Sequence, residues 1–508
     1  MATARRLFVA GAKVLTDFAA APAVKDIMIE NGIIAAITSE QEDPPPDAKR
    51  LDARGKLAIP GLVNAHYHSH DVLARGMFED VALEGWIALA ILPPARALTH
   101  REARLRTLLG AIDCLRNGIT TVQDMLGCGP GAEEQVEAAI GAYNEVGIRC
   151  VLGLQVGNRA AIDCLPGMRE RLPAALAPML SAGASDVRRI LDFVAAPLSR
   201  RFGGRLTFAI APGSPQRCTF DLLCGLAELS TRHRLPMVTH VNESKLQVFL
   251  ARELYAKYGG SALDYLDAAG ALDGSLCMAH AVWLSAAEID RVASAGASVV
   301  TCPTSNLKLK NGVAPMRMLK QAGVRLALGA DNTSAGDAQN LFEAMKLVCN
   351  MSAGKGPARS TLLAADALAM ATTAGAQAIR LAGRIGRIAV GMAADLTLLD
   401  LSDPSYLPLN DAVRQIVYCE SGRGVHTVIV DGEIVVEDRR VRTVDYDALL
   451  AEVAALHDAF ARDAGAHAAR VAPVLPYILD TVRAHAGLPL PFDRWPSADD
   501  RLPDDGGA

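Results

Sequence analysis

The chain has 508 residues, of which 51% are hydrophobic and 21% are charged, and its formal net charge is −5. This composition excludes a wholly disordered chain, and the lack of a long basic block gives no indication of nucleic-acid binding. No apolar run is long enough to span a bilayer, and Lys13 and Asp17 interrupt the apolar stretch near the N-terminus, so a strand is expected there and not an export signal. The 10 cysteines form no CxxC pair, which favours reduced thiols and a cytoplasmic protein.

Short strands separated by turns are predicted near both ends of the sequence. The N-terminal candidates cover residues 7–15, 27–34 and 56–59, and similar strands return at 394–400 and 425–436. Asn31-Gly32 and Asp431-Gly432 are strong hairpin-turn signals. We therefore expect one small β-sandwich domain that is built from residues 1–58 and 386–442 together.

The sequence between these two parts alternates apolar strands with amphipathic helices. The strand candidates cover residues 62–68, 120–124, 149–154, 206–211, 237–240, 275–280, 298–302 and 326–331. Eight consecutive strand–helix units predict a (β/α)8 TIM barrel, which we place at residues 59–385. Residues 443–508 form a C-terminal extension, with a helical pattern at 449–467. From Leu488 the extension is rich in Pro and Asp, and this tail is expected to be loosely attached.

Histidines and one aspartate stand where the predicted barrel strands end. His66 and His68 are two residues apart on the first strand, so their side chains share a face. The fifth, sixth and eighth strands end at His240, His280 and Asp331. Barrel active sites lie at the carboxyl ends of strands. Since the chain has only 11 histidines, chance is a poor explanation for four of them at the predicted strand ends. Three imidazoles with one carboxylate suit Zn²⁺ or Fe²⁺.

Glu243 follows His240 by three residues and falls just beyond the fifth strand. A carboxylate near a metal site, but not bound to the metal, suits proton transfer. The alternative is a glutamate that stabilises the start of a helix through the helix dipole, and this residue alone does not decide between the two.

Five segments together resemble the amidohydrolase superfamily, and more closely its branch of cytosine, guanine and adenosine-type deaminases and triazine chlorohydrolases. The segments are PGLVNAHYH at 60–68, HVNE at 240–243, AHAVWL at 279–284, CPTSNLKL at 302–309 and LGAD at 328–331. The resemblance covers roughly residues 5–440.

The resemblance implies a single divalent metal ion, Zn before Fe, held by His66, His68, His240 and Asp331. It also implies that the metal lowers the pKa of water toward roughly 7. The hydroxide formed there attacks an sp² carbon that bears an amino group, and Asp331 accepts the water proton. His280 bonds the water or the substrate, and Glu243 protonates the adjacent ring nitrogen so that ammonia leaves. A homodimer or larger homo-oligomer is implied as well.

Two departures from the nucleoside deaminases of this branch concern the substrate. These enzymes usually carry Ala-Pro-His-x-Pro after the fourth strand, where this chain has Gly213 in place of the histidine. They also carry Trp-Pro-x-Glu in the first loop, where the stretch Leu92-Pro93-Pro94-Ala95 lacks the acid. Both losses favour a free base, a pterin or a triazine-like ring over a nucleoside. Candidate substrate-binding residues are Trp86, Gln155 and Asn306.

Two alternatives to a deaminase remain open from the sequence. One is a hydrolase of the same fold that cleaves an amide, a urea, an N-alkylamine or a carbon–chlorine bond. The other is a catalytically inactive barrel that serves in binding or assembly, which the complete set of candidate ligands and Glu243 disfavour.

Overall fold

The computed structural model describes residues 5–39, 45–91, 97–128, 131–181, 186–200, 202–354, 356 and 361–495. Its larger unit is a barrel of parallel strands. These strands are Leu62–His68, Ile119–Gly127, Arg149–Val156, Leu206–Pro212, Met237–Val241, Leu276–His280, Ser298–Thr301, Arg325–Leu328 and Asp331–Asn332. From Leu62–His68 to Arg325–Leu328, each strand pairs with the next along the chain, and Asp331–Asn332 pairs with Leu62–His68. Every predicted barrel strand is present, so the predicted (β/α)8 barrel is confirmed.

The barrel closes through a short strand at its carboxyl end. Asp331 and Asn332 pair in parallel with Tyr67 and His68 of the first strand. The eighth strand is interrupted just before this pairing, at Gly329, where a Cβ atom would lie 2.7 Å from the Cβ of His66. Since real Cβ atoms do not approach so closely, a glycine is needed for the two strand ends to meet.

Helices surround the barrel and fill the connections between its strands. Among the described residues, the α-helices are Leu83–Trp86, His100–Arg116, Ala132–Val146, Met168–Arg171, Pro178–Ser181, Val187–Ala195, Phe220–His233, Lys245–Leu254, Ala262–Ala268, Ala286–Ala295, Pro303–Lys308, Met316–Gln321, Thr333–Gly336, Leu341–Ala353, Ala364–Met370, Thr373–Ala378, Ala412–Tyr418, Tyr446–Val471 and Leu475–Ala486. Shorter turns are 3-10 helices at Ser69–Ala74, Ala161–Cys164, Ala196–Ser199, Pro215–Arg217, Ala256–Tyr258 and Pro404–Tyr406, and a π-helix at Ile87–Ile91. Within the described part of the chain, no helix combines the length and the apolar character that a membrane span requires.

The two faces of the barrel strands bury different side chains. The outer face packs large residues such as Leu152, Ile210 and Met278 against the helices. The inner face carries small residues such as Ala65, Ala209 and Val238. Small interior side chains leave room for the histidines at the carboxyl end.

Both ends of the sequence contribute to a second sheet, as predicted. Its strands are Arg6–Val14, Ala23–Glu30, Ile33–Ser39, Lys49–Asp52, Lys56–Pro60, Leu396–Asp400, Val425–Val430, Glu433–Glu437 and Arg440–Val441. The N-terminal and C-terminal sets join where Lys56–Pro60 runs antiparallel to Leu396–Asp400. One buried apolar cluster contains side chains from both sets, among them Val9, Ile27, Leu396 and Ile429. The domain boundaries within the chain stay a prediction.

A buried arginine links the barrel to this sheet. The guanidinium group of Arg149 donates hydrogen bonds of 2.7 and 2.9 Å to the two carboxylate oxygens of Asp395. It donates a further bond of 3.1 Å to Asp431. The side chains of Arg149 and Asp395 are each 1% exposed, so each charge depends on the other for compensation.

The C-terminal extension begins with the long helix Tyr446–Val471, as its sequence pattern predicts. The expectation of a loosely attached tail is wrong for the part of the tail that ends at Trp495. Arg494 is 9% exposed, and the ring of Trp495 lies 5.3 Å from the ring of Trp283. Aromatic side chains within this Pro- and Asp-rich stretch supply the apolar area that binds it to the barrel.

Replacing Arg149 with Met should lower the free energy of unfolding by about 3–5 kcal/mol, because it leaves the Asp395 carboxylate buried without its countercharge. Denaturant unfolding followed by circular dichroism measures this loss. The matched control is Arg232→Met, which removes an exposed ion pair with Glu228 and should cost less than about 1 kcal/mol. Equal losses in both variants would contradict the proposed link between the two units.

Candidate metal centre and active site

Four of the predicted residues converge at the carboxyl end of the barrel. His66, His68, His240 and Asp331 each offer one ligand atom, and these atoms all lie within 4.8 Å of one another. The first strand supplies two of them, the fifth strand supplies His240, and the closing pair supplies Asp331. This arrangement of three imidazoles and one carboxylate is able to hold a divalent metal ion.

Backbone carbonyls fix the orientation of two of these rings. The Nδ1 atom of His68 lies 2.7 Å from the carbonyl oxygen of Met125, and Nδ1 of His240 lies 2.5 Å from that of Gly213. A carbonyl oxygen only accepts, so Nδ1 carries the proton in each ring. The Nε2 lone pair then faces the cluster, as metal-binding histidines require.

The surroundings also set the protonation of the cluster. Burial lowers the pKa of His66 to about 4 and that of His240 well below its usual value, so both rings are neutral at neutral pH. Although burial alone would raise the pKa of Asp331, the neighbouring histidines hold it well below the usual range. Burial lowers the pKa of His68 too, but the Asp331 carboxylate outweighs this effect and raises that pKa above its usual value. Because a metal ion binds neutral imidazoles and an ionised carboxylate, a bound cation would favour the neutral form of this ring.

Asp331 shows that these residues fit a metal ion. Its Oδ1 atom is buried and has no hydrogen-bond partner among the described residues. Leaving a buried carboxylate oxygen without a partner is costly, and a cation at the centre of the cluster would satisfy it. Cys302 also lies close to His66, His280 and Asp331. Burial raises the pKa of its thiol well above the usual value, so Cys302 stays a protonated thiol and is a weak ligand.

His280 stands beside the cluster with one nitrogen already engaged. Its Nδ1 atom donates a hydrogen bond of 2.8 Å to Oδ1 of Asn306. Its Nε2 atom is buried, has no hydrogen-bond partner in the described part of the chain, and lies 3.9 Å from Asp331. Burial lowers the pKa of His280, so the ring is neutral and Nε2 is an acceptor directed toward the site. Its φ angle of +68° is uncommon for a residue other than glycine, and such strain is concentrated at functional sites.

Glu243 lies next to His280 and is 5% exposed. Its Oε1 atom accepts a hydrogen bond of 2.9 Å from the Asn311 amide and is 3.6 Å from Nδ1 of His280. Burial, together with the negative charges of Asp331 and Glu84, raises the pKa of Glu243 well above its usual value. These surroundings therefore favour the protonated form of the side chain, from which it is able to give up a proton.

The three predicted substrate-binding residues have different surroundings. Gln155 shares a strand face with Val151, which belongs to the barrel interior. A Cβ atom at Gly127 would lie 3.3 Å from its Oε1, and one at Gly213 would lie 3.4 Å from its Nε2. The Gln155 amide thus occupies the space between two glycines, in the direction of the site.

Trp86 and Asn306 use their polar groups within the protein. The indole N–H of Trp86 donates to Oγ of Ser334 at 3.0 Å, so only the ring face remains for a ligand. Asn306 directs its amide oxygen at His280, which makes it a residue that orients His280, a contact the sequence did not predict. The first-loop stretch at 92–95 lies outside the described residues.

Two buried residues of the site were missed from the sequence. Asn311 holds Glu243, and it stands in an Asn-Gly pair that was available as a turn signal. Asp71 accepts hydrogen bonds from the backbone N–H groups of Thr333 and Ser334, which lie two and three residues after Asp331. No local pattern connects Asp71 with residues so distant in the chain.

Comparisons with known proteins agree with this geometry. Residues 57–435 match the model of the amidohydrolase family. The chain is 32% identical over 428 residues to the 5-methylthioadenosine/S-adenosylhomocysteine deaminase of Pyrococcus furiosus, with 84% of this chain and 94% of that protein covered. It is also 32% identical over 432 residues to the 5'-deoxyadenosine deaminase of Methanothermobacter thermautotrophicus, with 84% and 93% covered.

A solved structure shows the same architecture. The adenosine deaminase of Xanthomonas campestris with bound zinc superimposes with a TM-score of 0.76 at 25% identity, and the match covers 89% of this chain and 98% of that one. The matched family model and the two relatives above 30% identity establish what the converging strand ends indicate: the chain belongs to the amidohydrolase family.

Proposed function

We propose that the chain is a metal-dependent hydrolytic deaminase that releases ammonia from a small aminated N-heterocycle. The observation that carries this proposal is a cluster of three histidines and one carboxylate within 4.8 Å, with the buried carboxyl group of Glu243 beside His280 at 3.6 Å. Deaminase relatives and family membership support the same reaction type.

A divalent metal ion held by His66, His68, His240 and Asp331 would supply a Lewis acid that lowers the pKa of water toward about 7. We propose zinc, because a set of three nitrogens and one oxygen suits its tetrahedral preference and a zinc-bound structure is among the matches. The assignment of these ligands is part of the proposal, as is assembly into a homo-oligomer.

The residues around the cluster divide the proton transfers between them. Asp331 is ionised, since its pKa is held low, and it would accept the proton that the attacking water loses. The neutral His280 would accept a hydrogen bond from the same water through Nε2, because its Nδ1–H is engaged by Asn306. Two groups that both accept from the water fix the direction of its attack.

Glu243 would act as the general acid. Its raised pKa favours the form that carries a proton, and transfer of that proton to a ring nitrogen would let the adjacent carbon accept the water oxygen. The two carboxyl groups, Glu243 and Asp331, thus have pKa values displaced in opposite directions, which is how paired acids acquire separate roles.

The absence of a side chain at Gly213 affects which substrate the site is able to bind. The nitrogen and oxygen of the Gln155 amide allow it both to donate to and to accept from the edge of a heterocycle. The named relatives act on 5'-modified adenosines, so an aminated ring of purine-like polarity fits this amide. Without a histidine at 213, we propose a free base, a pterin or a triazine-like ring in preference to a nucleoside.

Ammonia release from a panel of aminated bases, pterins, triazines and adenosines should identify the substrate, and activity should require the metal. We expect the highest kcat/KM among free heterocycles, loss of activity after chelation and recovery on adding Zn²⁺ or Fe²⁺. Release of chloride or an alkylamine without ammonia would contradict deamination. A metal-free purified protein that gains nothing from either ion would support a binding protein in its place.

Changing Glu243 to Gln should lower kcat by about 10²–10⁴-fold, the usual contribution of general acid–base catalysis, while bound metal per chain stays unchanged. Steady-state kinetics and metal analysis measure the two quantities. Glu253→Gln is the matched control, because Glu253 lies exposed on the helix Lys245–Leu254 that follows Glu243. A rate close to wild type in the Glu243 variant would exclude this residue as the acid.

Changing Gln155 to Ala should raise KM for the best substrate by about tenfold, since one lost hydrogen bond to a ligand is worth about 1.5 kcal/mol at most. The value of kcat should stay within about threefold, because the Asn311 amide holds Glu243 and this hydrogen bond does not involve Gln155. Gln321→Ala, at an exposed position of the helix Met316–Gln321, is the control. An unchanged KM would remove Gln155 from the binding pocket.

A further inference from the structure

The end of the described C-terminal segment contacts two loops of the active site. The Arg494 guanidinium donates hydrogen bonds to the carbonyl oxygens of Val282 at 3.1 Å and Leu284 at 2.5 Å. The backbone N–H of Val313 donates to the carbonyl oxygen of Arg494 at 2.7 Å. Arg494 therefore joins the loop after the sixth barrel strand to the loop that contains Asn311.

Trp283 is the residue between Val282 and Leu284, whose carbonyl oxygens accept from Arg494. Its buried side chain connects the same two loops. Its side chain is fully buried, and Trp495 packs edge-on against it with ring centres 5.3 Å apart. The indole N–H of Trp283 donates to the carbonyl oxygen of Asn311 at 2.7 Å. Its backbone N–H donates to the carbonyl oxygen of Asn242, next to Glu243, at 2.9 Å.

Asn311 completes the connection to the proposed acid. Its side-chain N–H donates to Oε1 of Glu243 at 2.9 Å, and its backbone N–H donates to the carbonyl oxygen of Asn306 at 2.8 Å. The loop that contains Asn311 therefore holds Glu243 through a side chain. It also holds Asn306, which orients His280, through a backbone hydrogen bond. Two residues, Trp283 and Asn311, separate Trp495 from Glu243 along this path.

The sequence accommodates the close approach of the tail at one position. Gly312 has a φ angle of +102°, and a Cβ atom there would lie 2.7 Å from the carbonyl oxygen of Arg494. A side chain at 312 would push the tail away from the loop. The glycine allows the backbone of the tail to lie directly against the residue that follows Asn311.

We propose that Arg494 and Trp495 are positioning residues of the active site, which hold Trp283 and Asn311 so that the Asn311 amide keeps Glu243 in place. This inference rests on the proposed function of Glu243. It gives the C-terminal extension a role in the reaction, since a small misplacement of a catalytic group costs up to about 10²-fold in rate.

The first test is Arg494→Met, which keeps the length of the side chain and removes its hydrogen bonds. We expect kcat per bound metal ion to fall by about 10- to 100-fold, with metal content unchanged and KM within about threefold. Arg494→Lys should recover part of the rate, because an ammonium group can bond one of the two carbonyls. Arg483→Met is the control, since Arg483 lies exposed in the same extension and pairs with Asp480.

A double-mutant cycle distinguishes positioning from general support of the fold. In an Asn311→Ala background, Arg494→Met should lower kcat by less than about twofold further, because the contact through which it acts is already absent. Multiplicative losses in the double variant, or a single variant with lower metal content and an unchanged kcat per metal ion, would overturn the proposal. Trp495→Ala should reproduce the loss and replaces Arg494→Met if that variant does not fold.

Hydrogen exchange gives a readout that does not depend on turnover. The amides of residues 311–313 should exchange faster in Arg494→Met than in Arg483→Met. Unchanged exchange would overturn the positioning, whatever the activity of the wild type. Faster exchange in a protein that releases no ammonia from any compound of the panel would overturn the proposed function instead, and the catalytic part of this inference with it.

Discussion

The active site depends on the closure of the barrel by Asp331 and Asn332 against Tyr67 and His68. This parallel pairing brings the carboxylate of the last strand to the two histidines of the first strand. It requires the chain to pass within contact distance of His66, and Gly329 permits that approach because it has no Cβ atom. The residue that completes the proposed ligand set is therefore also the residue that completes the fold, and errors in strand pairing would disrupt both.

Burial gives the same site its electrostatic character. Low exposure would raise the pKa of every carboxyl group there, but Asp331 faces three imidazoles while Glu243 faces the negative charges of Asp331 and Glu84. The pKa of the first group is therefore lowered and that of the second is raised, although both are buried at the same end of the barrel. Neither state requires an unusual residue. Each follows from which neighbours the strand ends bring within a few ångströms.

The sequence was sufficient for the features that follow from local pattern. Barrel strands appear as apolar runs, and functional residues in a barrel stand where such runs end, so the convergence of His66, His240 and Asp331 was predictable from their positions alone. Contacts between distant parts of the chain left no such signal. Asn311 and Glu243 are 68 residues apart, and Arg494 and Val282 are 212 apart. The Asn306 amide was expected to face a ligand, and its engagement by His280 depends on a side-chain direction that spacing does not encode.

The tail is the clearest case of composition giving the wrong expectation. Pro and Asp are typical of mobile ends, yet Phe492 and Trp495 lie among them and pack on the barrel. Two aromatic side chains add enough buried area to hold a short segment, and the Arg494 guanidinium satisfies carbonyl groups that a loop would otherwise present to water. A site whose acid comes from one loop and whose supporting amide comes from another needs both loops fixed in relation to each other. The barrel strands fix only where those loops begin, so the segment that crosses them supplies the remaining constraint.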